Sequence, residues 1–331
     1  MSDATAHRND AVNTVLGPVP ASQLGVVAIH ESLLSVVPGA QYAHDITLDQ
    51  AEIFEVIAAK LTSFKAAGGG TIVDSTGMFH GRDLPLLEAL ARSTGVNIVA
   101  STGMGPEEYL GGYFLTPQTN PPTPWPAEKF ADLLSQEISE GMVVPRLERR
   151  APAGLVISEA DREGITPTEV SLFKGSARAA AANGVALSIR WGSDVLAELA
   201  QVLDEGIPAD RVIVSGLDRK DAVGVAAKVA ALGAYVAIDH VGQNTSDFIY
   251  DTARAALVAE LVAAGHTNRI LLSSGAIGFA AGLAPVDLPF EFVLTSFVPA
   301  LHAAGVSESV VHSILADNPR EVLTVRAGKG A

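Results

Sequence analysis

Eight short runs of apolar, often β-branched residues recur along the chain, and longer stretches with helical spacing separate them. The runs fall at 25–29 (GVVAI), 71–73, 97–100, 155–157, 186–189, 212–214, 235–238 and 270–272. Near-continuous apolar strands are what a parallel sheet covered on both faces requires. The first helical pattern opens at Thr47, which with Gln50 reads as a capping box, and continues to Ala67. Further helices are predicted over 84–94, 127–140, 167–183, 193–204, 219–232, 252–264 and 288–304. Strand–helix alternation repeated eight times predicts a closed (β/α)8 TIM barrel, with an open doubly wound sheet as the alternative. No Pro/Ser-rich linker splits the pattern, so 11–331 is expected to be one domain behind a disordered polar tail, 1–10.

Two glycine- and proline-rich segments refine this picture. Gly68, Gly69 and Gly70 precede a strand rather than a helix, so they read as a helix C-cap and not as a phosphate cradle. The Pro-rich stretch 115–126 follows the third strand and reads as a long βα loop, where barrel enzymes place substrate contacts. Tyr109, Tyr113, Phe114 and Trp125 in and before it are candidates to line a pocket, or to pack within the loop.

Composition narrows the function. Hydrophobic residues make up 48% and charged ones 18%, which suits a large buried core. The formal net charge of -15 repels a phosphate backbone, so no nucleic-acid partner is expected. There is no cysteine, which removes disulfides, thiolate catalysis and Cys-ligated zinc. No run of about 18 apolar residues predicts a membrane span. The first ten residues carry no apolar signal core, so a cytoplasmic location is expected.

Several segments, in order, resemble the phosphotriesterase family of the amidohydrolase superfamily. They are 12–19 (VNTVLGPV), 25–31 (GVVAIHE), 70–83 (GTIVDSTGMFHGRD), 97–103 (NIVASTG), Ile165-Thr166-Pro167, 233–240 (GAYVAIDH), 268–273 (NRILLS) and Asn318-Pro319. The resemblance implies the barrel fold, a homodimer and two divalent metals at the C-terminal mouth. Its ligands would be a His-x-His on the first strand, a carboxylate on the fourth, a His on each of the fifth and sixth, and an Asp on the eighth. Here the first-strand motif is His30-Glu31-Ser32, the fifth-strand position matches Arg190, the sixth Gly216 and the eighth Gly275. The fourth strand offers Glu159 but no lysine. A divalent ion wants three or more protein N/O ligands, and a guanidinium repels one. No metal or other cofactor is therefore expected; a single residual divalent ion on His30 and Glu159 is the alternative.

The candidate chemistry then rests on polar residues at strand ends. His30, Glu159, Asp239 and His240 are the acid–base candidates, with Asp239-His240 matching family positions that support proton transfer. Arg190, Glu31, Tyr109 and Trp125 are the substrate-contact candidates, and Glu31 or Glu159 is the expected ion-pair partner of Arg190. Alternation along a strand predicts that one of Asp239 and His240 faces inward. Asp74, Arg82 and Asp83 read as loop-stabilising. Ser32, Ser158, Ser215, Ser273 and Ser274 are strand-end hydroxyls, none framed by a G-x-S-x-G turn. The expected function is hydrolysis of a small ester, lactone or amide without the binuclear centre. A non-catalytic small-molecule-binding protein and a single-metal hydrolase are the alternatives.

Overall fold

The computed structural model describes residues 10–38, 40, 43, 46–110, 123–144 and 148–328. Residues 1–9 of the expected tail, and Tyr113 and Phe114, lie outside the described residues. The nine parallel strands are β1 (Val26–Val36), β2 (Gly69–Asp74), β3 (Asn97–Met104), β4 (Leu155–Glu159), β5 (Ala186–Arg190), β6 (Val212–Ser215), β7 (Tyr235–Ile238), β8 (Ile270–Leu272) and β9 (Ile277–Ala281). Each of β1 to β8 overlaps one of the apolar runs. The sheet runs β8-β7-β6-β5-β4-β3-β2-β1-β9.

It closes because the eighth run reaches the first strand in two steps. β8 pairs with β7 through Ile238 and Leu272, and β9 pairs with β1 from Ile277 and Ser32 onward. Between them the His30 amide donates to Ser273 Oγ at 3.0 Å and the Ser32 amide to the Ala276 carbonyl at 3.0 Å. The chain is thus the predicted (β/α)8 barrel.

Apolar side chains fill the lumen, among them Val27, Ile29, Val73, Val99, Ile213 and Leu271, and a larger cluster packs the sheet against the helices. Below the lumen, Ala11–Thr14 and Gly17–Pro20 form an antiparallel hairpin. Both faces of the sheet being buried accounts for the continuous apolar runs.

Helix caps set several boundaries. α1 (Gln50–Ala66) is capped by Asp49, which accepts from the amides of Ala51 and Glu52, not by the predicted Thr47–Gln50 box. A carboxylate beside two free amides at a positive helix end outcompetes a hydroxyl two residues earlier. Gly68 (φ +101°) does end α1, but Gly69 and Gly70 belong to β2. A Cβ on Gly69 would lie 2.3 Å from the Phe64 ring, and one on Gly70 2.3 Å from the Leu24 carbonyl oxygen. α2 (Leu84–Thr94) is capped by Asp83, and α3 (Pro167–Asn183) by a Thr166–Glu169 capping box. The predicted helix 219–232 is shorter, a 3-10 turn Val223–Val225 leading into α4 (Ala226–Ala231). Its first residues are instead drawn toward the barrel mouth, where Arg219 bridges Phe248 and pairs with Asp221. The predicted helix 288–304 opens with a π turn, Val293–Phe297, before α5 (Val298–Ala303).

Candidate functional site

A cavity of about 450 Å³ opens at the C-terminal ends of the strands, and its wall includes His30, Tyr109, Glu159, Arg190, His240 and Gly275. Strict alternation from Val27 and Ile29 would aim Glu31 into the lumen. The β1–β2 register shifts between Ala28 and Glu31, and this irregularity turns His30 inward instead.

His30 is 7% exposed and is gripped on both ring nitrogens. Its Nδ1 lies 2.8 Å from Asp239 Oδ2 and its Nε2 2.9 Å from Ser188 Oγ. A carboxylate accepts only, so Nδ1 carries the proton, and in the neutral ring Nε2 accepts from the Ser188 hydroxyl. Asp239 is itself fixed: Ser215 Oγ donates to Oδ2 at 2.5 Å and the Gly216 amide to Oδ1 at 2.8 Å. Burial would raise the Asp239 carboxyl, but His240 and His30 beside it hold it well below the usual carboxylate range.

Asp239 and His240 both turn toward the site, because β7 ends at Ile238 and alternation no longer binds the residues beyond it. His240 Nδ1 donates to Asp218 Oδ1 at 3.0 Å and lies 3.2 Å from Asp239 Oδ1. Its ring stacks on Phe248, with centroids 3.8 Å apart. Burial pushes the imidazole down, but the Asp239 charge and the bonds to Asp218 and Asp239 outweigh it and raise the group to about 9. Asp218 is also bonded by the fully buried Arg254 through Nε at 2.7 Å. Asp218, Arg254 and Ser188 were not among the sequence candidates. Asp218 lies three residues beyond the end of β6, where alternation gives no direction, whereas Ser188 shares its strand face with Arg190, so alternation was an available signal for Ser188.

Two substrate-contact candidates are corrected. Glu31 does not line the cavity or pair with Arg190. It is buried in the β8–β1 seam, where it accepts from Ser273 Oγ at 2.7 Å, from the Ser274 amide at 3.1 Å and from the Ala276 amide. Burial dominates its titration and raises it to about 7, against the lowering effect of those bonds. Trp125 is not part of the described cavity wall and is tilted on Phe130 at 5.5 Å with Lys129 Nζ 4.1 Å over its ring. Glu159 is the ion-pair partner of Arg190, at 3.4 Å, and the Arg190 side chain is 50% exposed. Tyr109 stands at the rim, 55% exposed. Asp74 accepts from Thr76 Oγ1 at 2.5 Å, and Arg82 donates to Glu137 at 2.6 Å, so both brace loops as read.

The donor set does not fit the pair of divalent ions that the resemblance implies. Of the matched positions, Gly216 and Gly275 carry no side chain, Arg190 is a cation and both His30 nitrogens are engaged. Among the described residues, Asp218, Asp239 and His240 come within ligand distance of one another. Their facing atoms are already bonded to one another, to Arg254, to His30 and to the Gly216 amide.

The same architecture recurs in solved structures. The phosphotriesterase from Mycobacterium tuberculosis superposes with a TM-score of 0.82 at 24% identity, covering 96% of this chain and 99% of that one. A variant of a phosphotriesterase-like lactonase from Deinococcus radiodurans gives 0.81 at 22%, covering 94% and 99%. In sequence, the phosphotriesterase homology proteins of M. tuberculosis and Escherichia coli are each 27% identical, covering 96% and 90% of this chain and 98% and 97% of their own lengths. The N-acetyltaurine hydrolase of Xenopus tropicalis is 26% identical over 95% of this chain and 98% of its own. A sequence model of the phosphotriesterase family matches residues 10–323, and the chain belongs to that family.

Proposed function

We propose that this protein hydrolyses a small ester, lactone or amide without a binuclear metal centre. The observation that carries the reading is His30, held between the Asp239 carboxylate and the Ser188 hydroxyl at 2.8 and 2.9 Å and forming part of the cavity wall. An imidazole fixed in the Nδ1–H tautomer presents Nε2 as a base, which is the arrangement general-base hydrolysis needs. Arg190 and the cationic His240 face the same cavity and supply positive charge where a carbonyl oxygen becomes an oxyanion.

Relatives named for hydrolysis of N-acetyltaurine, an amide with an anionic tail, and a structural neighbour named as a lactonase suggest the substrate panel. Arg190 suits a substrate with a carboxylate or sulfonate at its far end. The test is turnover of aryl esters, γ- and δ-lactones and N-acyl amino acids or sulfonates by the wild type and by His30→Ala, after treatment with a chelator. Turnover that survives the chelator and falls at least about a hundredfold in His30→Ala is expected. Tight binding of panel members with no hydrolysis would instead favour a non-catalytic binding protein.

A further inference from the structure

We infer that Ser188 is the nucleophile of a covalent, two-step hydrolysis, activated by His30, with Asp239 as the positioning residue. The inference rests on the hydrolase reading above and specifies its first step.

Asp239 Oδ2, His30 Nδ1, His30 Nε2 and Ser188 Oγ form a chain with links of 2.8 and 2.9 Å. Each atom is the one that nucleophile activation requires: carboxylate to Nδ1, and Nε2 to the hydroxyl. Every member is held from behind. β5 is paired on both sides at Ser188, with Ile157 of β4 and Ile213 of β6, so its backbone cannot shift freely. The His30 amide is tied to Ser273 Oγ. Asp239 is fixed in its plane by Ser215 Oγ and the Gly216 amide, so its carboxylate faces His30 in one orientation.

Ser188 is the one hydroxyl in the otherwise apolar β5 run. Its hydroxyl is bonded to His30, and among the described residues no other side-chain partner bonds it. Two residues farther along the same face stands Arg190, at the cavity wall. Ser188 is 4% exposed, so a substrate must bring its carbonyl down beside His30, with the rest of the molecule left in the cavity under Arg190.

In the first step Ser188 Oγ forms a bond to the carbonyl carbon and its proton passes to His30 Nε2. The tetrahedral oxyanion collapses, the C–O or C–N bond to the leaving group breaks, and the leaving atom takes the proton from Nε2. In the second step water attacks the acyl ester, gives a proton to His30 and releases Ser188, which recovers that proton. The sum is acyl compound plus water to acid plus alcohol or amine.

The experiment labels the intact protein with a fluorophosphonate, follows hydrolysis of an activated aryl ester for a burst, and locates the adduct by mass spectrometry. The expected result is one adduct on the peptide carrying Ser188 and a burst near one equivalent. Ser188→Ala should lose both, with turnover down by about a thousandfold or more and its melt within a few degrees of wild type. Ser188→Cys is the second variant, and its thiol would be the chain's only one. Its alkylation by iodoacetamide should slow at least tenfold when His30→Ala is added. Hydrolysis kept within tenfold in Ser188→Ala, or an adduct elsewhere, overturns the nucleophile while leaving His30 as base for a water. A wild type that neither hydrolyses the panel nor takes the label overturns this inference and the hydrolase reading together.

Discussion

Replacing Asp239 with Asn tests the centre with almost no change of shape. The carboxylate accepts from Gly216 N, Ser215 Oγ and His30 Nδ1, and it faces His240 Nδ1 at 3.2 Å. An amide has one oxygen and one NH2, so one of these sides must meet a donor. The Gly216 amide cannot turn, whereas His30 can exchange tautomers. The amide oxygen therefore goes to Gly216 and the NH2 to His30 Nδ1. That forces the proton onto Nε2, where it donates to Ser188 and no longer accepts from it. Loss of the correct tautomer in an Asp–His–nucleophile array lowers turnover by about 10⁴, equivalent to about 5 kcal/mol of barrier. Stability should fall less, by roughly 1–3 kcal/mol, the cost of one mispaired buried hydrogen bond. The assay is kcat/KM on the best substrate of the panel, beside urea unfolding. In a His30→Ala background, Asp239→Asn should lower the rate little further, since the carboxylate acts through that ring. A single mutant within tenfold of wild type, or full additivity in the double mutant, would refute the reasoning.

Arg190→Ala should raise KM about ten- to hundredfold for substrates with an anionic tail, in line with roughly 1.5–3 kcal/mol for a charge-assisted contact, and Arg190→Lys should recover part of it. Because the Arg190–Glu159 pair is half exposed, its loss should change stability by no more than about 1 kcal/mol, so a large melt shift with an unchanged KM would make Arg190 a structural ion pair. Purified protein should hold well under one equivalent of zinc, manganese or cobalt per chain; two equivalents retained through dialysis would contradict the missing donor set. The melting temperature should fall between pH 5 and pH 9.5, for two reasons with the same sign. His240 is raised from 6.5 to about 9, so its stabilisation, on the order of 3 kcal/mol, is complete below 6.5 and lost as pH rises through 9. Glu31 is raised from 4.5 to about 7, so stability also falls as it ionises across that window. A melt that rises across this range, or an alkaline step unchanged in His240→Asn, would count against the assigned environments.

The barrel was legible because its strands are apolar on both faces, and eight such runs leave few topologies. His30, Arg190 and Gly275 share one cavity wall. What could not be read was which way individual side chains turn. Glu31 reads as a site residue because Arg190 needs a carboxylate partner, yet the irregularity at 28–31 sends its carboxylate into the seam. Ser188 lies one layer inside the strand end, so a search of strand-end hydroxyls passes over it. Asp218 and Arg254 are 36 residues apart and meet only because the loop after β6 folds back over the barrel mouth. The Thr47 cap failed for a local reason, a better acceptor two residues on at Asp49.

The two glycines at positions that the family resemblance would assign to metal ligands have backbones committed to another arrangement. Gly216 has φ +73° and Gly275 φ +58°, in the left-handed region that side chains seldom adopt. A Cβ on Gly275 would come within 3.0 Å of both the Asp239 carbonyl oxygen and Gln243 Nε2. The Gly216 amide, freed by that turn, is one of the donors that fixes Asp239. Positive charge at the barrel mouth is carried by Arg190, His240 and the buried Arg254, and it is balanced by Glu159, Asp218 and Asp239. A centre so neutralised leaves no excess anionic charge to draw in a dication. It does leave one imidazole with a fixed tautomer and a hydroxyl in reach, the pair that nucleophilic hydrolysis without a metal would use.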